Sequence, residues 1–309
     1  MTASIVEPKA AGFFHDLLSV AGRALRSIPR EPEVLAPALF IPVFFYFINV
    51  GALENVAKAS GVSDYRAFQL PVAIIFAVTG LSRASALVLD IQDGYLDRLL
   101  MTPIKRATLL LGLMVADFVL VFAVEVPVIG LGYLLGVRFE TGVLGIFVFL
   151  LMGAFWGLAF TGFPYAIALK TGNPAAVNAS FILFFPFAFM TTSFLPEESL
   201  SGWLATVAKL NPVTYLLEGM RSVITGWDTS MLLPGIASIA GVMIVSFSLA
   251  LLTLRGRLRR GGPDFCESSF SRRYLRIISS LLCPSRPPRR RRGRHWCSTR
   301  SSSFGDRFA

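Results

Sequence analysis

Few residues in this 309-residue chain have types and spacings that do chemistry, and all of the prominent ones are acids. Asp90, Asp93 and Asp97 form a DxxDxxxD series. Three carboxylates on one helix edge can hold Mg²⁺ and a diphosphate, but no second aspartate cluster completes such a site. Asp117 and Glu125 lie eight residues apart in a long apolar run, about 80° apart around a helix, so one broad face holds both. A charge near the centre of a bilayer costs ~2.5–3.5 kcal/mol. Such acids either touch a substrate or cation, or make internal hydrogen bonds that fix helix packing. No GxxxxGK[ST] loop and no GxGxxG loop is present, so the chain has no nucleotide-phosphate cradle of its own. His15 is the only histidine before residue 263, and Cys266, Cys283 and Cys297 all fall after it. The residues thus point to no catalytic group and no metal site, and the energy for any work must come from an ion gradient or from a partner protein.

The elements that position these acids are apolar. Hydrophobic residues make up 54% and charged residues 16% of the chain, with mean hydropathy +0.64, against roughly a quarter charged in soluble domains. Uncharged runs of 20, 29, 26 and 26 residues lie between Glu33 and Glu54, Glu140 and Lys170, Lys170 and Glu197, and Asp228 and Arg255. About 20 apolar residues cross a hydrocarbon core. This composition excludes a soluble enzyme, a disordered chain and a disulfide scaffold. It predicts an all-α integral membrane protein with six transmembrane helices, at about 34–53, 68–90, 107–136, 142–169, 176–195 and 232–254. Arg83 interrupts the second span and is expected to snorkel to the cytoplasmic interface.

Residues 1–33 form a cytoplasmic N-terminus containing an amphipathic helix, with Phe14, Leu17, Leu18, Ala21, Leu25 and Ile28 on one face and Asp16, Ser19, Arg23, Arg26 and Arg30 on the other. Such a helix lies in the headgroup plane. With the N-terminus inside, inner segments before the tail carry thirteen Lys and Arg and outer segments five, which places both termini in the cytoplasm. The net charge of +10 comes mostly from the end of the chain: residues 263–309 contribute +8 and hold 11 Arg but no Lys. Residues 255–309 read as a cytoplasmic Arg/Ser-rich tail that is disordered, with binding to anionic lipid as the alternative.

Two connections are longer than turns. Residues 91–106 predict a short helix with Leu96, Leu99 and Leu100 on one side, flanked by Asp93, Asp97, Arg98, Lys105 and Arg106, and stopped near Thr102 by Pro103. Residues 196–231 alternate apolar stretches with Pro196, Gly202, Pro212 and Gly226. Their pieces are too short to span and too apolar for a free loop, which predicts re-entrant helices. Gly132-x-x-x-Gly136 and Gly153-x-x-x-Gly157 predict close neighbours for the third and fourth spans.

On these residues the chain resembles the type-2 permeases of ABC transporters, the likeness covering 12–260. DGYLDRLLMTPIKRATLLLG (93–112) is similar to the family's stretch between the second and third spans. FLPEESLSGWLATVAKLNPVTYLLEGMR (194–221) is similar to its signature before the last span, with Asn211, Pro212, Val213, Thr214, Tyr215, Glu218 and Arg221. The pattern is most like that of daunorubicin/doxorubicin-resistance-type efflux permeases. The resemblance implies the membrane-spanning half-unit of an exporter in the bacterial inner membrane, paired with a second permease, identical or different. Two copies of a separate ATPase subunit would bring ATP and Mg²⁺, leaving this chain without a cofactor and without nucleic acid. It makes 93–106 the coupling helix, with the leucines as docking face and the charges setting register. Its cargo would be a hydrophobic drug, antibiotic or lipid-linked molecule. A gradient-driven carrier using Asp117 and Glu125 is the alternative, and a membrane prenyltransferase a more distant one; carriers usually repeat their span pattern, and no repeat of 93–106 or 196–231 is present.

Overall fold

The computed structural model describes residues 12–27, 32–62, 64–94 and 106–260. Contacts divide the chain into two units at Arg260. The second unit lies outside the described residues apart from Arg260 itself, and so does the 95–105 segment holding Leu96, Asp97, Arg98, Leu99, Leu100 and Lys105.

All regular structure among the described residues is helical, and five stretches are long and apolar enough to cross a membrane. Before them, α1 (Phe13–Ser27) buries Val20, Ala21 and Ala24, while Leu18 is 65% exposed. The apolar stripe is thus turned from the predicted face, because α1 packs along the N-terminal part of a long helix and small residues face that contact. The first stretch lies in α2 (Pro32–Ala59), longer than predicted because Glu54 and Lys58, one turn apart, pair at 2.7 Å and carry the helix through a charged turn.

The second stretch, Tyr65–Gln92, is two helices, α3 (Tyr65–Thr79) and α4 (Ala84–Gln92). Asp64 starts α3 by accepting the N–H groups of Arg66 and Ala67 at 3.0 and 3.2 Å. The chain leaves the helix at Gly80 and Arg83 falls in the break, 8% exposed. This corrects the expected snorkelling: a four-residue interruption turns Arg83 into the protein. The third and fourth stretches lie in α5 (Arg106–Leu134) and α6 (Gly142–Thr171).

The segment predicted as a fifth span is helical from Pro174 to Phe189, shorter than expected and with a 3₁₀ turn within it. Gly172, at φ 60°, ends α6; Asn173 then caps α7 (Pro174–Ala179) with Pro174 in its first turn. A 3₁₀ turn (Ser180–Leu183) and α8 (Phe184–Phe189) follow. Beyond α8 the hydroxyls of Thr191 and Ser193 bond locally, Ser193 donating to the Ala188 carbonyl at 2.7 Å, and no regular helix continues to 195. After it come α9 (Gly202–Leu210), α10 (Pro212–Thr225) and α11 (Thr229–Arg260), the last holding the fifth long apolar stretch.

α3 packs against α2, α5, α6 and α10. Its apolar residues join Leu120, Val121 and Val124 of α5, Phe149 and Trp156 of α6, and Leu216, Leu217 and Met220 of α10 in one core. A second core lies around the other end of the same helices: Val20 and Ala24 of α1, Leu87 and Val88 of α4, Leu110 and Leu113 of α5, and Tyr165 and Leu169 of α6. Gly153 and Gly157 are true close approaches. A Cβ on Gly157 would stand 3.0 Å from Val121, and one on Gly153 would overlap the Glu125 carboxyl. Of the other predicted pair, Gly132 meets Leu70 but Gly136 forms a turn at φ 98° with open space around it.

Candidate transport site

The 194–221 motif of the sequence becomes a clamp. Asn211 caps α10, accepting the Val213 N–H at 3.0 Å, while its amide donates to the carbonyls of Phe187 (2.6 Å) and Met190 (3.0 Å). Pro212 fits the first turn, where no N–H is missed. Arg221 donates to the Phe68 carbonyl (3.2 Å), the Thr192 hydroxyl (3.1 Å) and the Thr192 carbonyl (2.7 Å), with its guanidinium 3.4 Å from the centre of the Phe68 ring. Asn211 and Arg221 therefore hold the same strap, 187–192, from the two ends of α10. Tyr215 donates to the Lys209 carbonyl at 2.6 Å and ties α10 to the end of α9. Thr214 is buried and its hydroxyl has no hydrogen-bond partner among the described residues; Glu218 is half-buried on the same helix.

Asp117 and Glu125 are both fully buried, and they are held differently. Asp117 accepts from the Tyr165 hydroxyl at 2.7 Å and from the Arg83 backbone N–H at 2.9 Å, and the Arg83 charge acts on the same carboxylate. Neither oxygen of Glu125 has a hydrogen-bond partner among the described residues; the carboxyl lies against Gly153, close to Ile74. Asp90 is paired with Arg23 of α1 at 2.7 Å, and Asp93 ends α4 on the surface. Arg106 opens α5. The rest of the predicted coupling group lies outside the described residues.

Neither buried acid lines the aromatic cavity found among the described residues. That cavity, about 330 Å³, lies between α2, the end of α3, α6 and the α7–α8 segment. Phe45, Phe76, Phe160, Phe181 and Phe185 line it, with Thr79, Ser82, Asn178 and Ser180 as polar edge, and no lining residue is charged. The rings brace one another: Phe45 stacks on Phe76 at 5.8 Å between centroids, and Phe181 meets Phe185 edge-on at 5.2 Å. Thr79 is fixed from behind, its hydroxyl donating to Ile75 and accepting the Trp156 indole N–H at 3.1 Å. An uncharged aromatic hollow of this size suits an apolar ligand whose few polar groups find the hydroxyl and amide edge.

Residues 15–225 match the ABC-2 type transporter family, more than half of the chain. The chain belongs to that family. It is similar to the daunorubicin resistance ABC transporter permease protein DrrB1 of Streptomyces coeruleorubidus, 27% identical over 65% of this chain and 71% of the relative. The probable doxorubicin resistance ABC transporter permease protein DrrC of Mycobacterium tuberculosis is 25% identical over 69% and 78%. A putative transport permease, ycf38, of Cyanophora paradoxa is 28% identical over 68% and 74%. As an ABC-2 permease the chain is a transport component, and permeases of this family normally work with an ATPase partner.

Within the ABC-2 domain, the sequence reading missed Tyr165, the buried role of Arg83 and the aromatic cavity. Tyr165 looks like one more aromatic in a 29-residue uncharged run, and its partner lies 48 residues away. Arg83 was the visible signal: one cation inside an apolar stretch asks for an anion, and Asp117 was the nearest acid also set within an apolar run.

Proposed function

We propose that this chain is the membrane-spanning subunit of an ATP-driven exporter in a bacterial-type inner membrane, moving a hydrophobic or amphipathic compound out of the cytoplasm. The uncharged aromatic cavity carries the reading. An apolar cavity of about 150 Å³ takes one benzene ring, so one about twice as large suits a flat compound of about two fused rings, or that part of a larger one. The drug-resistance names of the relatives fit such cargo. On this reading the five long helices cross the membrane and the α7–α8 rod makes the sixth crossing, while α9 and α10 re-enter from outside. The Arg-bearing α1, tied to α4 through Arg23 and Asp90, lies at the cytoplasmic face with both termini. Two copies of a separate ATPase subunit, bringing ATP and Mg²⁺, dock on the 93–106 segment through Leu96, Leu99 and Leu100, and a second permease, identical or different, completes the pathway.

A gradient-driven carrier is the second reading, favoured by the unpartnered carboxyl of Glu125. Filling the cavity tests the first. Ala38→Trp places an indole in the hollow from the peripheral helix α2; with the ATPase still co-purifying, ATP-driven export of a naphthalene-sized dye should fall about ten-fold or more. Unchanged export would remove the cavity from the pathway.

A further inference from the structure

We infer that the aromatic cavity takes an amine-bearing aromatic compound, whose N–H groups bond the Ala38 and Phe160 carbonyls that prolines leave open in its walls. That this compound is exported rests on the proposed function; that it binds rests on the cavity itself.

Six prolines lie inside α2, α3, α5, α6 and α11, and three of them, Pro37, Pro42 and Pro164, line this one cavity. A proline has no N–H, so the carbonyl four residues before it loses its helical partner. Pro42 frees the carbonyl of Ala38, and Pro164 frees that of Phe160. Ala38 and Phe160 line the cavity together with their prolines. Residues four apart share a helix face, so each open carbonyl lies on a wall turned to the hollow, one on α2 and the other on α6. A backbone group freed at membrane depth calls for a partner. Among the described residues no side chain donates to either carbonyl, whereas those of Leu158 and Ala159, just before Phe160, receive the hydroxyls of Thr161 and Ser246.

The remaining polar groups lean the same way. Thr79 donates its hydroxyl to the Ile75 carbonyl and Ser180 donates to that of Val177, so neither of these buried residues has a proton left for a ligand. Asn178 and Ser82 keep donors but stand at the rim, Asn178 exposed with its Oδ1 already taken by Ser85, and Ser82 half-buried. The buried interior thus offers acceptor oxygens and ring faces and no side-chain donor. Ring faces carry negative potential and attract an ammonium group. An anion finds no buried partner there, and a bare hydrocarbon leaves both carbonyls unanswered.

Binding to the full chain alone in lipid nanodiscs, with empty nanodiscs subtracted, tests the site. One probe is naphthylmethylammonium, with three N–H donors; the other is its trimethylammonium analogue, with the same ring and charge and no donor. Hydrogen bonds to the two carbonyls should favour the first by about ten-fold. Pro164→Ala supplies the N–H that the Phe160 carbonyl lacks and should lower that preference about three-fold, Pro42→Ala should do the same through Ala38, and the two together should remove about ten-fold. The difference in size between the probes is common to all variants, so the change in preference reports the carbonyls.

If the prolines serve only to bend their helices, both affinities move together and the preference stays, and that result overturns the site. Failure of both probes to bind the parent chain overturns it too. Pro42 lies on the peripheral α2, so its variant decides the matter where Pro164→Ala does not insert. Adding the ATPase and ATP separates the two claims: binding with the expected preferences but without ATP-driven export of the amine sinks the proposed function and leaves the site standing.

Discussion

Near the N-terminal third of α5 the Asp117 carboxylate receives two hydrogen bonds, whereas about two turns further along Glu125 receives none and rests against a glycine. Both acids are fully buried on one helix. The difference lies in what faces them. Asp117 meets a broken helix, whose free N–H needs an acceptor, and a tyrosine; Glu125 meets the unbroken α3 and α6, whose backbone groups are already paired within their own helices. Burial of a polar group is thus a poor guide to its role until its partners are known, and the same residue class stabilises one place and burdens another.

Replacing each acid by an apolar residue sharpens that contrast, because the two changes should move stability in opposite directions. Asp117→Leu leaves the Tyr165 hydroxyl and the Arg83 N–H without their acceptor and should lower unfolding free energy by about 3–5 kcal/mol, read as denaturant-induced unfolding in lipid–detergent micelles. Gly153→Val drives a branched side chain into the Glu125 carboxyl and Ile74, at a cost of about 1–3 kcal/mol. Glu125→Met keeps length and removes two oxygens that make no hydrogen bonds, so stability should stay level or rise by about 1 kcal/mol. A large loss in Glu125→Met would show that the carboxyl has a partner or a ligand in the membrane and would erase the contrast.

Much of this architecture was legible in the sequence. Uncharged runs mark the long helices because length and apolarity are local properties, and the Asn211-Pro212 pair announces the start of α10 because capping is local too. The interruption of the second stretch at Gly80–Arg83 and the end of the 176–195 helix at Phe189 were not legible. Both turn on distant neighbours: Asp117 accepts the freed Arg83 N–H from 34 residues away, and Arg221 holds the Thr192 hydroxyl and carbonyl from 29 residues away. The turned face of α1 has the same origin: 3.6-residue periodicity gives a stripe, and the small residues Ala21 and Ala24, buried while the larger Leu18 stays outside, follow the close contact with α5. The aromatic cavity was hidden for a further reason, since its five rings come from α2, α3, α6 and the α7–α8 rod and no single segment shows a motif.

On the proposed reading, this permease moves its cargo only when a separate subunit hydrolyses ATP. Proteoliposomes holding the full chain, with and without the partner ATPase, measure it directly through movement of a naphthalene-sized fluorescent dye in the absence of any ion gradient. The account predicts movement with ATPase and ATP, lost on adding vanadate and absent with the permease alone. Dye movement by the permease alone when an ion gradient is imposed, unaffected by ATP or vanadate, would contradict it and return the chain to the gradient-driven reading.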